Sequence, residues 1–154
     1  MISVRWGRKG SWYLCDDIDQ LKSNLIPDIA NRADLDRLIE TFYGRVFADE
    51  QIGPFFTQIA PVVTPETHFP LLADFWETVL FGKNLYHHNI IQKHVELHRK
   101  QPMEPHHFER WLSLFTTTVD QLFSGPVAEQ AKIRAQSMAM VLQVKIHTLT
   151  TAKP

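Results

Sequence analysis

The strongest constraint on the fold is a helical repeat of large apolar residues that recurs along the chain. Between residues 108 and 123 the apolar side chains fall at offsets 0, 3, 4, 7, 11, 14 and 15 from Phe108. Residues 35–47 show a similar spacing from Leu35, at offsets 0, 3, 4, 7, 11 and 12. Because an α-helix has 3.6 residues per turn, each segment places these side chains on one helical face. The sequence therefore predicts an all-helical chain.

Capping residues predict where two of the helices begin. Asp34 stands just before the repeat that starts at Leu35, so we expect it to be the N-cap. We expect the next helix to begin with Thr67 as its cap, because that start leaves Pro70 in the first turn, where its missing N–H costs little. A start at Pro65 would put Pro70 in the helix interior.

Two later helices follow from similar signals. Asn89, with Gln92 three residues later, resembles a capping box and predicts a helix over residues 90–98. The Ser-Gly-Pro sequence at 124–126 breaks the chain, and a last helix is expected from about 127 to 148. The apolar spacing of that helix predicts that Val141 is buried with Ala131, Ala135, Met138 and Leu142.

Composition excludes several classes of protein. The 16 Lys and Arg residues nearly balance the 17 Asp and Glu residues, so we expect no nucleic-acid partner. There is no run of about 18 apolar residues, so we expect no membrane span. The one cysteine, Cys15, allows no internal disulfide, which fits a cytoplasmic location.

Two histidines are the candidate metal-binding residues. His68 lies seven residues before the pair Phe75–Trp76, and His94 lies eight residues after Tyr86 and seventeen before Trp111. A histidine on an apolar helix face is usually a hydrogen-bonded core residue, and the alternative is a metal ligand.

A zinc site is a further alternative. His94 and His98 have the spacing of two ligands on one helical turn, but no cysteine cluster accompanies them. A non-haem helical protein that binds metal at these histidines, or acts as an interaction module, therefore stays open.

Between about residue 35 and residue 147 the chain resembles the truncated haemoglobins, specifically their third group. The most specific match is a Trp-Leu-x-Leu-Phe run at 111–115, which follows His94. The other matching stretches are Phe42–Tyr43 with Val46, residues 52–56, His68 through Phe75–Trp76, and Tyr86 with His94. The resemblance implies a two-over-two globin fold over residues 31–150, preceded by an N-terminal extension over residues 1–30.

The resemblance also implies a function. A chain of this family holds one b-type haem and binds O2, CO and NO reversibly at the iron. One hypothesis adds oxidation of NO to nitrate, with an unidentified external reductase to restore ferrous iron. Because the chain has no C-x-x-C-H motif, the haem would not be covalently attached. A peroxidase-like haem protein, in which His68 or Tyr43 moves protons, is the alternative within haem chemistry.

Carried over by position, the resemblance makes His94 the iron ligand and His68 the histidine on the opposite, ligand-binding side. Tyr43 and Trp111 correspond to polar aromatic residues that stabilise the bound gas. The remaining implied haem contacts are Phe56 (rather than Phe55), Leu72, Phe75 and Trp76 on the pocket wall, and Lys93, Arg99 and Arg110 as partners of the haem propionates. The chain has His88 and Ile90 where the family often has glycine and proline, and extra residues around 98–101, so His98 stays a rival iron ligand.

Overall fold

The computed structural model describes residues 26–59 and 64–151, without the side chain of residue 59. The described residues form five α-helices and one short π-helical turn, and contain no strand. These elements are α1 (Arg32–Ala48), the π turn (Phe55–Ile59), α2 (Pro65–Phe81), α3 (Ile90–Lys100), α4 (Pro105–Leu122) and α5 (Pro126–Thr151). The all-helical prediction is confirmed.

Part of the N-terminal prediction falls outside the described residues. The sequence contains a short helical pattern over 18–25 and strand-like alternation at 3–6 and 11–14, and all three lie outside the described ranges. None of the helices described is long and apolar enough to cross a membrane.

The helices pack as two crossed pairs. Helix α1 packs against α2, α4 packs against α5, and the contact of α1 with α4 joins the two pairs. Helix α3 lies on α5. The main core lies where α1, α2 and α4 meet, and it includes Leu35, Leu38, Phe42, Ala73, Phe115 and Val119. A smaller cluster, which contains Val95, Phe108 and Leu142, supports α3 against α4 and α5.

The N-cap of α1 is Asn31, so the assignment of Asp34 as the cap is wrong. The Asn31 side chain accepts a hydrogen bond from Asp34 N at 3.2 Å. The Asp34 carboxylate in turn accepts from Ala30 N at 2.9 Å and Asn31 N at 3.2 Å. Asp34 is thus the third residue of a capping box, where an acidic side chain also complements the helix dipole.

Helix α2 begins three residues, or just under one turn, earlier than a Thr67 cap would allow. Its N-cap is Thr64, Pro65 is its first residue, and Pro70 lies inside the helix. The predicted start is wrong because Pro65 already has the φ angle that the first helical residue needs. Pro70 removes only the bond to the carbonyl of Glu66, an exposed residue whose carbonyl water can reach.

The predictions for α3 and α5 are mostly confirmed. The Asn89 side chain accepts from Gln92 N at 3.0 Å and caps α3, which extends two residues beyond the predicted end. Helix α5 buries Ala131, Ala135 and Leu142 as expected. Val141 is 49% exposed, so its predicted burial is wrong. It points 100° away from Leu142, past the edge of the buried face.

A buried carboxylate fastens α1 to α2. Glu77 is 4% exposed and accepts from Lys83 Nζ at 2.6 Å and from Arg32 Nη1 at 2.8 Å. Arg32 Nη1 also donates to Asp74 at 2.7 Å. The hydrogen bonds from Lys83 and Arg32 lower the pKa of Glu77, so the carboxylate is ionised and paired at neutral pH.

Helix α5 is capped by a residue that precedes α1. The Asp28 carboxylate accepts from Val127 N at 2.9 Å and from Ala128 N at 2.8 Å. Gly125 has φ +150°, and a Cβ there would lie 2.5 Å from Cγ of Asp28. Glycine is therefore required beside the cap, both for its backbone conformation and for the space that the carboxylate occupies.

We predict that Asp28→Ala lowers the free energy of unfolding by about 1–2 kcal/mol, the cost of losing a helix cap. The reason is that two N–H groups in the first turn of α5 lose their acceptor. Urea unfolding followed by circular dichroism measures the change. Glu40→Ala, on the exposed side of α1, is the control and should leave the midpoint unchanged. Equal midpoints for Asp28→Ala and wild type would contradict the capping role.

Candidate functional site

The orientation of His94 on α3 leaves one ring nitrogen free. His94 Nδ1 lies 2.8 Å from the carbonyl oxygen of Ile90. A carbonyl oxygen only accepts, so Nδ1 carries the hydrogen and Nε2 has the lone pair. No residue in the described ranges forms a hydrogen bond with Nε2. Burial lowers the pKa of His94, which the Ile90 bond partly opposes, so the ring is neutral at neutral pH.

His98, the rival ligand, has the opposite tautomer. Its Nδ1 accepts a hydrogen bond from Met103 N at 2.9 Å. The hydrogen of a neutral His98 ring is therefore on Nε2, and the only lone pair is already used to hold the turn between α3 and α4. The described residues also contain no cluster of three or more His, Cys, Asp or Glu side chains that would hold a metal ion. A zinc site on His94 and His98 thus finds no third protein ligand in this part of the chain.

Burial lowers the pKa of His68 on α2, and the charge that His94 carries when protonated lowers it further. The His68 ring meets the Tyr43 ring edge-on, with 6.1 Å between the centroids. Tyr43 of α1 and His68 of α2 are therefore in ring contact, and His94 of α3 acts on His68 through its charge.

Tyr43 is 5% exposed and sits in an aromatic cluster. Its ring contacts Phe47, Phe56, His68 and Phe69. Burial raises the pKa of Tyr43, while a hydrogen bond with the Trp111 side chain acts in the opposite direction. An indole N–H can only donate, so in an interaction between these two polar groups the Tyr43 oxygen would be the acceptor.

The structure separates the two candidate phenylalanines of the π turn. Phe56 meets Tyr43 edge-on at a centroid distance of 5.6 Å. Phe55 is 6% exposed and packs against His107 on α4 at 4.9 Å. Phe56 is therefore the one in contact with Tyr43, and its contact with haem stays a prediction.

A cavity of about 490 Å³ opens between α2, α3 and α5, and neither His68 nor His94 is among its lining residues. Its lining residues are Phe75, Thr78, Val79, Ile90, Ile91, Arg134, Ser137, Met138, Val141 and Leu142. Ile90 belongs to this wall and also holds His94 through its carbonyl, so the cavity adjoins the candidate ligand. Its size falls within the range of small-molecule and cofactor sites, and its walls are mostly apolar.

The predicted wall residues divide between the cavity and the core. Phe75 lines the cavity, and Leu72 is half-buried against the main core. Trp76 stacks on Phe115 in that core, with 4.9 Å between centroids and 12° between planes, and is not among the residues that line the cavity.

The three cations predicted to pair with the haem propionates differ in whether they already pair with an acidic residue. Arg110 Nε donates to Asp49 at 2.7 Å, so this guanidinium ties α4 to the end of α1 and is not available as predicted. Lys93 lies 3.7 Å from Glu96 in an exposed pair, and Arg99 is exposed without an ion pair to any described residue. Such exposed pairs are weak and break easily.

Sequence reasoning missed Arg134, which lines the cavity from α5 and pairs with no described acidic residue. The sequence did contain a signal for it. Arg134 lies one helical turn before Met138 and two turns before Val141, and both of those residues line the same wall of the cavity.

No protein-family model matches this chain. It is 28% identical over 115 residues to the group 3 truncated hemoglobin ctb of Campylobacter jejuni, covering 73% of this chain and 88% of that protein. Its fold matches the crystal structure of the group III truncated hemoglobin from Campylobacter jejuni with a TM-score of 0.67 and 26% identity, over 77% of this chain and 92% of that one.

A second solved structure supports the fold alone. The structure of Chlamydomonas reinhardtii THB1 matches with a TM-score of 0.58 and 24% identity, over 73% of this chain and 89% of that one.

We predict opposite tautomers for the two histidines of α3 in the haem-free protein. His94 should carry its hydrogen on Nδ1 and His98 on Nε2, because one bonds to a carbonyl and the other to an N–H. Long-range ¹H–¹⁵N correlation spectra, at a pH well above the usual histidine pKa of about 6.5, distinguish the two forms. An Nε2–H tautomer at His94 would remove the argument for it as a ligand.

Proposed function

We propose that this chain, a globin with the truncated haemoglobin fold and similar in sequence to the third group of that family, binds one haem and uses His94 as the iron ligand. The observation that carries the proposal is the hydrogen bond from His94 Nδ1 to the Ile90 carbonyl. Histidines that bind metals characteristically donate their other nitrogen in this way, which fixes the ring and raises its basicity.

The residues present fit the cofactor. His94 offers a neutral imidazole with its Nε2 lone pair unused by the described residues, and the adjoining cavity has mostly apolar walls. When bound, haem would supply an iron that can bind O2, CO or NO. A non-covalent haem b is proposed because the chain has one cysteine, Cys15, and no attachment motif.

Tyr43 is the proposed hydrogen-bond donor to the gas. Burial keeps the Tyr43 hydroxyl protonated by raising its pKa, and Trp111 acts on the pKa in the opposite direction. An indole N–H can only donate, so we assign Trp111 the role of orienting the Tyr43 hydroxyl. The sequence resemblance makes both residues donors to the gas, and this proposal gives them different roles.

His68 is proposed as the histidine on the gas side. Its pKa is lowered by burial and by the charge of His94, so it is neutral at neutral pH and has both a donor and an acceptor nitrogen. A neutral imidazole can hydrogen-bond the gas or ligate the iron itself. The ferric absorption spectrum distinguishes these two roles.

The remaining contacts complete the proposal. Phe56, Leu72 and Phe75 would form the wall, and Lys93 and Arg99 are the exposed cations of α3 that can reach the propionates. The gases are the proposed ligands. Oxidation of NO to nitrate, and the external reductase that it requires, stay predictions from the resemblance.

We predict that purified protein titrated with hemin gives a saturable one-to-one Soret band, which His94→Ala abolishes or weakens. The loss of affinity should exceed the roughly 10–100-fold cost of losing an outer hydrogen-bond partner, because the iron ligand itself is gone. His98→Ala, one turn away on α3, is the matched control and should bind hemin like the wild type. The reverse pattern would transfer the ligand role to His98, and no saturable band in wild type would overturn the proposed function.

We predict that Tyr43→Phe accelerates O2 dissociation by roughly 10–150-fold, because a charge-assisted hydrogen bond of about 1.5–3 kcal/mol is lost. Stopped-flow replacement of O2 by CO measures the rate. Tyr86→Phe removes a hydroxyl from the segment between α2 and α3 and is the control. If Tyr43→Phe and wild type release O2 equally fast, another group stabilises the gas.

A further inference from the structure

The two histidine-bearing helices are joined by a short segment, residues 82–89, which we call the linker. Helix α2 ends at Phe81 and α3 begins at Ile90. His68 lies in the first half of α2, and His94 lies in the second turn of α3. Whatever fixes the linker on α2 therefore helps to fix the position of α3, and of His94, relative to His68.

One hydroxyl on α2 holds the middle of the linker. Thr78 Oγ1 accepts a hydrogen bond from Leu85 N at 3.2 Å and from Tyr86 N at 3.1 Å. It also donates to the carbonyl oxygen of Asp74 at 2.8 Å. A hydroxyl has one hydrogen and two lone pairs, so every bond that Thr78 can make is used. Most threonine hydroxyls in the described helices bond only within their own helix, as Thr118 does.

The start of the linker is fixed on the preceding residue of α2. Gly82 adopts a left-handed conformation with φ +68°, and its N–H donates to the carbonyl of Glu77. Lys83 Nζ donates to the Glu77 carboxylate at 2.6 Å. The linker is thus attached at two successive residues, Glu77 and Thr78. The second attachment is the one nearer to α3.

The linker also packs against α2 through the side chain of Tyr86. Tyr86 meets Phe75 edge-on, with 5.3 Å between the ring centroids. Phe75 and Thr78 both line the cavity, and so does Ile90, whose carbonyl orients His94. Only three residues separate Tyr86 from Ile90. A displacement of Tyr86 would therefore be transmitted to the residue that holds the candidate ligand.

We propose that Thr78 is a positioning residue whose hydroxyl sets the separation between the helix of His68 and the helix of His94. Removing it leaves Leu85 N and Tyr86 N to water, and the linker is then held to α2 by hydrogen bonds only at its start. The gap between α2 and α3 becomes variable, and so does the separation of His68 and His94. The inference rests on the proposed function only where it concerns the iron.

The first test measures the helix separation in the haem-free protein. Cysteines replace Leu71 on α2 and Glu96 on α3 in a Cys15→Ser background, and spin labels on them report the distance by pulsed electron resonance. We expect one narrow distance distribution, which Thr78→Val broadens. Thr78→Ser keeps the hydroxyl and should keep the distribution narrow. An equally narrow distribution in Thr78→Val would overturn the proposal.

A matched control separates positioning from general destabilisation. Thr118→Val removes the same hydroxyl from a buried threonine whose bond, to Leu114 O at 2.7 Å, lies within α4. It should leave the distance distribution unchanged even where it lowers the unfolding midpoint. Broadening by Thr118→Val as well would overturn the specific role of Thr78. If Thr78→Val fails to fold, Thr78→Ala removes the same hydroxyl with a smaller side chain and should broaden the distance distribution in the same way.

The second test uses the haem-loaded protein. Thr78→Val should accelerate hemin loss to an excess of apomyoglobin about tenfold, equivalent to about 1.4 kcal/mol. It should also change the proportion of high-spin and low-spin ferric iron, because access of His68 to the iron is no longer fixed. Thr78→Ser should restore both, and failure to restore either would count against the proposal. If wild type binds no hemin, the proposed function fails, and the label distances alone decide the role of Thr78.

Discussion

A stack of three aromatic rings at the crossing of α1, α2 and α4 holds the core and the candidate site together. Phe115 lies between Trp76 and Trp111, at centroid distances of 4.9 and 5.4 Å and within 12° of parallel. Phe42 meets Phe115 edge-on at 5.3 Å. Each ring buries a large apolar area, and aromatic pairs in these geometries add about 0.5–1.5 kcal/mol beyond that area. The residue after Phe42 is Tyr43, so the packing that closes the core also places the proposed hydrogen-bond donor.

The helices were predictable where apolar periodicity was strong, and their ends were not. The repeat from Phe108 to Phe123 predicted α4, which spans Pro105–Leu122, to within three residues, because one buried face decides whether such a segment is helical. Asn31 and Asp34 are both good capping residues, and only the backbone shows which of them is the cap and which is the third residue of the box. For α2, the sequence likewise allowed a start at Pro65 or a later start that keeps Pro70 in the first turn. Such alternative helix ends differ little in free energy, and tertiary contacts decide between them.

The candidate site was predictable as a set of residues, but its chemistry was not. The resemblance brought forward Tyr43, His68 and His94. In the structure Tyr43 and His68 are in ring contact, and His94 acts on His68 through its charge. The choice between His94 and His98 depends on hydrogen-bond direction, which follows from the backbone group that each ring meets. Arg110 is not available to a haem propionate because it pairs with Asp49, which lies 61 positions earlier in the chain. No local pattern in the sequence indicates such a pairing.

The cap on α5 bears on where the folded unit begins. Asp28, which accepts from the first turn of α5, lies before residue 31, the position at which the resemblance begins the globin domain. Ser124 N also donates to the carbonyl of Pro27 at 3.0 Å. A chain cut at the resemblance boundary would keep every described helix and yet lose the acceptors that close the turn before α5. The folded unit therefore includes residues 27–30, and the last helix described takes its cap from a residue synthesised before the first helix described.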